Sequence, residues 1–336
     1  MSRARESLVA ASPLRAVSYP EDALSHATIG RTSNVTHRTR APSFLRTIGT
    51  ATLAAIMLSA CASGGVGSSS ASRDPDAKAW VELFNGKNLD GWTAKIAKHE
   101  VGDNYANTFR VVDGTIQARY DGYGGDYSSQ FGHLFYDKPY SHYILASEYR
   151  FVGELYPKAP SYTLRNSGIM IHSQDPHTMP RDQTFPISVE NQLLGGLSDG
   201  KSRPTSNMCS PGTMVDFGGK PDNRHCINSS SRTYDGDQWV LSETLVLGDS
   251  IVKQIVNHDT VLVYTHPRMA AGVVAGFDPT QLVEGKPLSS GYIALQAEGH
   301  PVDFRNVRLL NLEGCMDPKA STYKRYYVKS NPTACR

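Results

Sequence analysis

Residues 291–312 read GYIALQAEGHPVDFRNVRLLNL. Ile293 and Leu295 alternate with Ala294 and Gln296, the period-two pattern of a strand that buries one face and presents the other. Gln296, Glu298, His300 and Arg305 then fall within ten residues, where a hairpin could gather them at one mouth. Polar groups collected at a strand end suggest recognition or chemistry more than folding. Strands are also expected at 108–119, 142–151, 168–172, 187–194, 243–247, 251–256, 260–265, 291–297 and 307–312. Clusters of Gly, Pro, Asn and Asp separate them, and no amphipathic helix of three turns is legible, so the chain reads as an all-β sandwich. Asn257 and His258 read as a tight hairpin turn between two of these strands.

Four segments carry a resemblance: LFNGKNLDGW (83–92), NSGIMIH (166–172), the Glu190-x-Gln192 strand within SVENQLL (188–194), and GYIALQAEGHPVDFRN (291–306). In this order they resemble the bacterial 3-keto-disaccharide hydrolase family. The resemblance implies a concanavalin A-like jelly roll of two curved antiparallel sheets, with the ligand on the concave face.

The chain has 336 residues, and the first 61 do not read as fold. Arg40 and Arg46 precede an apolar run at 48–58 that is too short to span a bilayer comfortably and ends in Leu58-Ser59-Ala60-Cys61. That order describes a secretory signal. A cysteine directly after Leu-Ser-Ala resembles a bacterial lipobox, which makes Cys61 the lipidated N-terminus; a plain signal peptide cut near Ala60 is the alternative. Residues 1–43 exceed an ordinary n-region, and a start placed too far upstream accounts for them better than a functional basic tail. The first 61 residues hold seven Lys/Arg and three Asp/Glu of the chain's 34 and 32, leaving 27 and 29, a formal net of −2. With no basic run, nucleic-acid binding lacks an electrostatic footprint. Expected organisation is a signal and extension at 1–61, a Gly/Ser-rich tether at 62–78, a jelly-roll domain at 79–312 with a stapled rim insertion at 195–237, and a tail at 313–336. An exported cell-envelope lipoprotein, facing the periplasm or on the outer membrane and touching the membrane through its lipid alone, is the expected setting.

Four cysteines remain after Cys61. An exported chain with an even number invites two bridges, and three connectivities are possible. Cys209–Cys226 and Cys315–Cys335 are favoured because each closes a short loop; zinc is the rival, but no CxxC occurs.

Glu190 and Gln192 are two apart on one strand, so both leave the same face. The carboxylate could accept sugar hydroxyls, act as a base, or bind a divalent cation (Ca, Mg, Mn or Zn) together with His172. The bland alternative is a solvent-facing polar strand. The acidic residue two before Gln matches the family's pattern, whereas His172 stands where the family carries Arg. Gln296 and Glu298 also share a face; the family has His at the Glu298 position, and here His300 follows two residues later. Arg305 matches the family's Phe-Arg-Asn and could clamp a hydroxyl pair or an oxyanion, or pair with Glu298. Asn166, Gln192 and Gln296 are candidate substrate-binding amides. His133, His225 and His258 read as loop histidines, and Trp92 and Trp239 as core. The absence of a P-loop or dinucleotide Gly motif argues against a nucleotide cofactor.

The resemblance implies cleavage of a glycosidic bond in a sugar oxidised at C3. The ketone acidifies the C2 proton, so one base, one enolate stabiliser and one acid suffice, without the opposed carboxylates of ordinary glycosidases. Glu190 or His172 is the candidate base, Arg305 the enolate stabiliser, and Glu298 or His300 the acid, acting on a glycan or small glycoside. A surface-tethered, non-catalytic carbohydrate-binding module is the competing reading. An ordinary endo-glycanase is disfavoured because SVENQLL offers a single carboxylate. Oligomeric state is not legible in the pattern.

Overall fold

The structure is a computed structural model in which residues 77–336 are described. The signal segment, Cys61 and the tether through residue 76 lie outside the described residues. In chain order the strands are β1 (Trp80–Glu82), β2 (Trp92–Ile96), β3 (Phe109–Val112), β4 (Thr115–Ala118), β5 (Gly132–Tyr140), β6 (His142–Phe151), β7 (Asn166–Ser173), β8 (Val189–Leu194), β9 (Asn207–Cys209) and β10 (Thr213–Phe217). They continue with β11 (Lys220–Asp222), β12 (Cys226–Ile227), β13 (Val240–Leu247), β14 (Ile251–Val256), β15 (Asp259–Met269), β16 (Gly291–Ala297), β17 (Val302–Asn311), β18 (Glu313–Gly314) and β19 (Lys329–Ser330).

The larger antiparallel sheet runs β11-β10-β15-β14-β13-β6-β17-β4-β3, with β1 also on β17, and the smaller runs β12-β9-β8-β7-β16-β5-β2. Alternation puts Ile169, Ile171, Val189, Leu193, Ile293 and Leu295 of the smaller sheet against Tyr143, Leu145, Val246, Val252 and Leu309 of the larger, all buried. Each such side chain contributes about 1.5–3 kcal/mol on burial. This is the concanavalin A-like jelly-roll sandwich expected from the sequence.

Within that core, Asn191 donates to Ser242 Oγ (3.1 Å) and Thr244 Oγ1 (2.9 Å) and accepts from Ser206 Oγ (2.7 Å). These bonds tie β8 to the opposite sheet and fix its register. A one-residue slip would bury Glu190 and Gln192 between the sheets, so Asn191 facing in is what sends its two neighbours out.

The structure corrects several sequence expectations. Residues 108–119 form the β3–β4 hairpin rather than one strand, because Asp113 (φ 49) and Gly114 (φ 71) make a two-residue turn with both φ positive. The 195–237 segment, expected as a stapled rim insertion, also supplies β9 and β12 to the smaller sheet and β10 and β11 to the larger. Trp239 is not core; it lies between the guanidinium groups of Arg150 (4.7 Å) and Arg305 (4.0 Å). The Asn257-His258 turn, with φ of 48 and 74, forms as expected. Both favoured disulfides, Cys209–Cys226 and Cys315–Cys335, are present. The second pins the tail, where β18 and β19 pair in parallel and the Tyr326 hydroxyl accepts from Ala79 N at 3.2 Å.

Candidate active site

The face of the smaller sheet turned away from the core carries the polar groups. Strand register lines up Lys95, His133 and Gln296 across β2, β5 and β16, while Gly168, Gln192 and Asn207 line up across β7, β8 and β9. Leu295 opposite Ile169 joins the two halves into one row.

Residues 174–187, between β7 and β8, roof one half of this face. Met179 packs with Phe135, Met170 and Ala294, and Phe185 lies on Phe131 (4.7 Å) and edge-on to His133 (5.8 Å). Lys95 secures the roof: its buried ammonium donates to the carbonyls of Ile96 (3.1 Å), His99 (3.0 Å) and Arg181 (2.9 Å). The other half is open, a cleft of about 480 Å³. Asn166, Glu190, Gln192, Arg203, His225 and Glu298 supply its polar lining, and Tyr162, Phe185, Leu194, Pro211 and Val273 its apolar walls. The Cys209–Cys226 bridge joins β9 to β12 at one wall.

Glu190 and Glu298 both line the cleft. Glu190 is 6% exposed and Glu298 5%. Burial pushes Glu190 up to about 8, partly offset by the Gln296 amide beside it. Burial, and then the charge of Glu190, hold Glu298 well above the usual carboxylate range. Two buried carboxyls lining one cleft cannot both ionise cheaply, so the pair retains a proton well above the usual carboxylate range.

Gly168 makes this arrangement possible. A Cβ there would collide with Glu190 Oε1 and stand 2.9 Å from its Cδ and Cγ, so the bare backbone of β7 is what Glu190 lies across. Gly168→Ala is expected to displace the carboxyl and move its titration midpoint by about one unit, with melting temperature little changed, as read by carbon-13 NMR of the glutamate carboxyls. An unmoved midpoint would show that the Glu190 carboxyl need not lie over β7.

Other predicted site residues fall elsewhere. His172 has φ 48 at a register irregularity and turns inward: its Nε2 is 2.9 Å from Gly248 O, and burial lowers it to about 4. It therefore shares neither a metal nor a substrate with Glu190. Arg305 lies on the outer face of the larger sheet, donating to Glu148 Oε2 from Nε (3.0 Å) and Nη2 (2.6 Å), so it cannot reach an enolate in the cleft or pair with Glu298. His300 is buried against Phe151 (5.6 Å) and does not line the cleft; burial, then Arg165 and Arg203, lower it to about 4. An imidazole this hard to protonate is a poor general acid. Asn166 and Gln192 do line the cleft, and Gln296 sits behind Glu190.

Sequence reasoning missed Tyr162, Phe185, Arg203 and Val273, which arrive from connections whose path no periodicity reveals. It also placed His133 in a loop, whereas His133 is on β5 and fully buried. His258 pairs with Glu243 at 3.0 Å and His225 lines the cleft.

One cluster among the described residues brings metal-ligand atoms within 4.8 Å of one another: Cys209, His225 and Cys226. Its sulfurs are joined in the disulfide, so it offers a cation one imidazole unless the bridge opens. The Glu190–His172 pair expected from sequence does not form, and the donor set does not fit that metal site.

A jelly roll with a carboxyl-lined cleft on one sheet is the layout of a carbohydrate-active or carbohydrate-binding protein. The family model of the 3-keto-alpha-glucoside-1,2-lyase-like domain matches residues 79–310, and the chain belongs to that family. The four-segment resemblance is thereby borne out. No curated protein matches the chain. Among solved structures, it is similar to a putative glycosyl hydrolase from Parabacteroides distasonis ATCC 8503 at 16% identity, covering 69% of this chain and 99% of that chain with a TM-score of 0.42. A second putative glycosyl hydrolase from the same organism is 18% identical, covering 69% and 93% with a TM-score of 0.41. The carbohydrate binding module CBM66 from Bacillus subtilis is 13% identical, covering 66% and 96% with a TM-score of 0.37.

Proposed function

We propose that this protein cleaves the glycosidic bond of 3-keto-glycosides by removing the C2 proton and expelling the C1 oxygen. The observation that carries this reading is the Glu190–Glu298 pair, two buried carboxyls in one cleft that are both held above the usual carboxylate range, so that one can serve as base while the other keeps its proton. Ionised Glu190 takes the C2 proton, and the C–H electron pair becomes the C2–C3 double bond of an enolate whose charge rests on the C3 oxygen. That pair then forms the C1–C2 double bond as the C3 carbonyl returns and the C1–O bond breaks. Protonated Glu298 donates to the departing oxygen. Water adding its hydroxyl at C1, with a proton returned to C2, completes net hydrolysis. Asn166 and Gln192 hold sugar hydroxyls. No step runs through a metal.

Export and lipid attachment at Cys61 belong to the same proposal, supported by the n-region, the apolar run and the Leu-Ser-Ala-Cys order.

The test is turnover of a 3-keto-glucoside in deuterated water across pH. Cleavage is expected, with deuterium entering C2 of recovered substrate. At fixed substrate, kcat/KM should rise tenfold per pH unit below about 8 as Glu190 ionises, and fall again as Glu298 loses its proton. Cleavage without C2 exchange, and with rates flat from pH 6 to 8, overturns the mechanism. Saturable binding of intact glycans with no cleavage makes the protein a binding module.

A further inference from the structure

The reaction proposed above leaves one buried side chain on the site's own face without a task. His133 is completely buried, and neither ring nitrogen has a hydrogen-bond partner. Its cross-strand neighbour Gln296 is also completely buried, with both amide atoms unpartnered in hydrogen-bond geometry. Buried polar groups in native proteins are almost always satisfied, so two adjacent exceptions on one face point to a shared arrangement. Lys95, the next residue in the row, is already taken up by three backbone carbonyls.

Directly opposed residues in antiparallel strands stand with Cβ atoms about 5 Å apart, within reach of one bridging water between imidazole and amide. Gln296 in turn lies beside Glu190, whose side chain crosses the bare backbone of Gly168. Three side chains on β5, β16 and β8 thus form a line that ends at the proposed base.

We propose that His133 is a positioning residue that fixes which end of the Gln296 amide faces Glu190. With the imidazole or its water donating to Gln296 Oε1, the amide N–H points at the carboxyl and favours its ionised form. Without His133 the amide is free to turn, and an oxygen facing Glu190 favours the protonated acid. His133 suits a fixed donor because it stays neutral: burial, then Lys95, lower it to about 3. The charged groups along this line are Lys95 at one end, with Glu100, Arg181 and Asp182 around it, and Glu298 at the other.

This inference deepens the reading of Glu190 as base and rests on it for its catalytic meaning, so its test includes a readout that needs no turnover. Carbon-13 NMR of the glutamate side-chain carboxyls, with Glu190 assigned by the signal lost in Glu190→Gln, gives that residue's titration midpoint. In His133→Phe the midpoint is expected to rise by about one unit, with a matching tenfold loss of kcat at pH 7 and KM unchanged. His133→Gln keeps a donor and an acceptor and is expected to restore both. An unmoved midpoint in folded His133→Phe overturns the proposal. A moved midpoint with no turnover by the wild type keeps His133 as the positioning residue and removes the catalytic reading instead.

Discussion

Glu190→Gln is expected to lower turnover of a 3-keto-glucoside by about 10³-fold while leaving the protein folded and, above pH 5, more stable than wild type. Gln is nearly isosteric with Glu and lies across Gly168 in the same way, but it cannot take the C2 proton. The stability gain follows from linkage. The Glu190 carboxyl titrates near 8 in the folded protein and about 4.3 in the unfolded chain, so folding holds a proton that the unfolded chain releases. The stability this lends is full below about pH 4 and drains away as pH climbs toward 8. An amide has no such proton, so the variant escapes that loss, which is on the order of a few kcal/mol by pH 8. Rate measurements and thermal melts at pH 5 and pH 8 check both halves. A variant that is inactive and also melts lower at pH 8 would be misfolded rather than chemically disarmed, and the assignment of Glu190 as base would fall if turnover persisted within tenfold of wild type.

Asp303→Ala carries the largest expected effect on stability, at about 3–5 kcal/mol. Asp303 is 1% exposed on β17 and accepts from Arg119 Nη2 and, at 3.0 Å, from Arg150 Nε. These contacts join β17 to β6 and to the residue that follows β4; β4 and β6 are its two neighbours in the larger sheet. Removing the carboxylate leaves the mostly covered guanidinium groups of Arg119 and Arg150 without the counter-charge they share, and Arg150 is also stacked on Trp239. For a domain of this size the melting temperature should fall by about 6–20 °C. The cleft lies on the other sheet, so KM and kcat of the surviving folded fraction should stay at wild-type values. A drop under about 2 °C would mean the arginines find other partners.

Much of the frame was legible before any coordinates. Alternation in 142–151, 251–256 and 291–297 marked β6, β14 and β16 to the residue, because a strand half buried in a sandwich must repeat every second position. The same rule put Glu190 and Gln192 on one face of their strand and Gln296 and Glu298 together on one face of theirs. Where alternation broke, reading failed. GHLFYDKPY (132–140) mixes charge, Pro and aromatics, so β5 escaped notice and His133 with it, since its polar side is covered by the 174–187 roof rather than by the other sheet. Asp113-Gly114 was an available hairpin signal inside an apparently continuous strand.

The sequence by itself determined the sandwich and the strands on which the two carboxyls sit, and it favoured the disulfide pairing that forms, because periodicity and short loop closure are local properties of the chain. Only the tertiary structure decided which polar residues meet. His172 and Arg305 lie within motifs of the right order, yet one turns inward at a positive φ and the other lies on the far face of the larger sheet. Conversely Glu190 reaches Gln296 across β7 only because residue 168 has no side chain. Period two says that a residue leaves a strand on one side or the other; which side is the cleft depends on where the second sheet packs, and that is settled by contacts far apart in sequence.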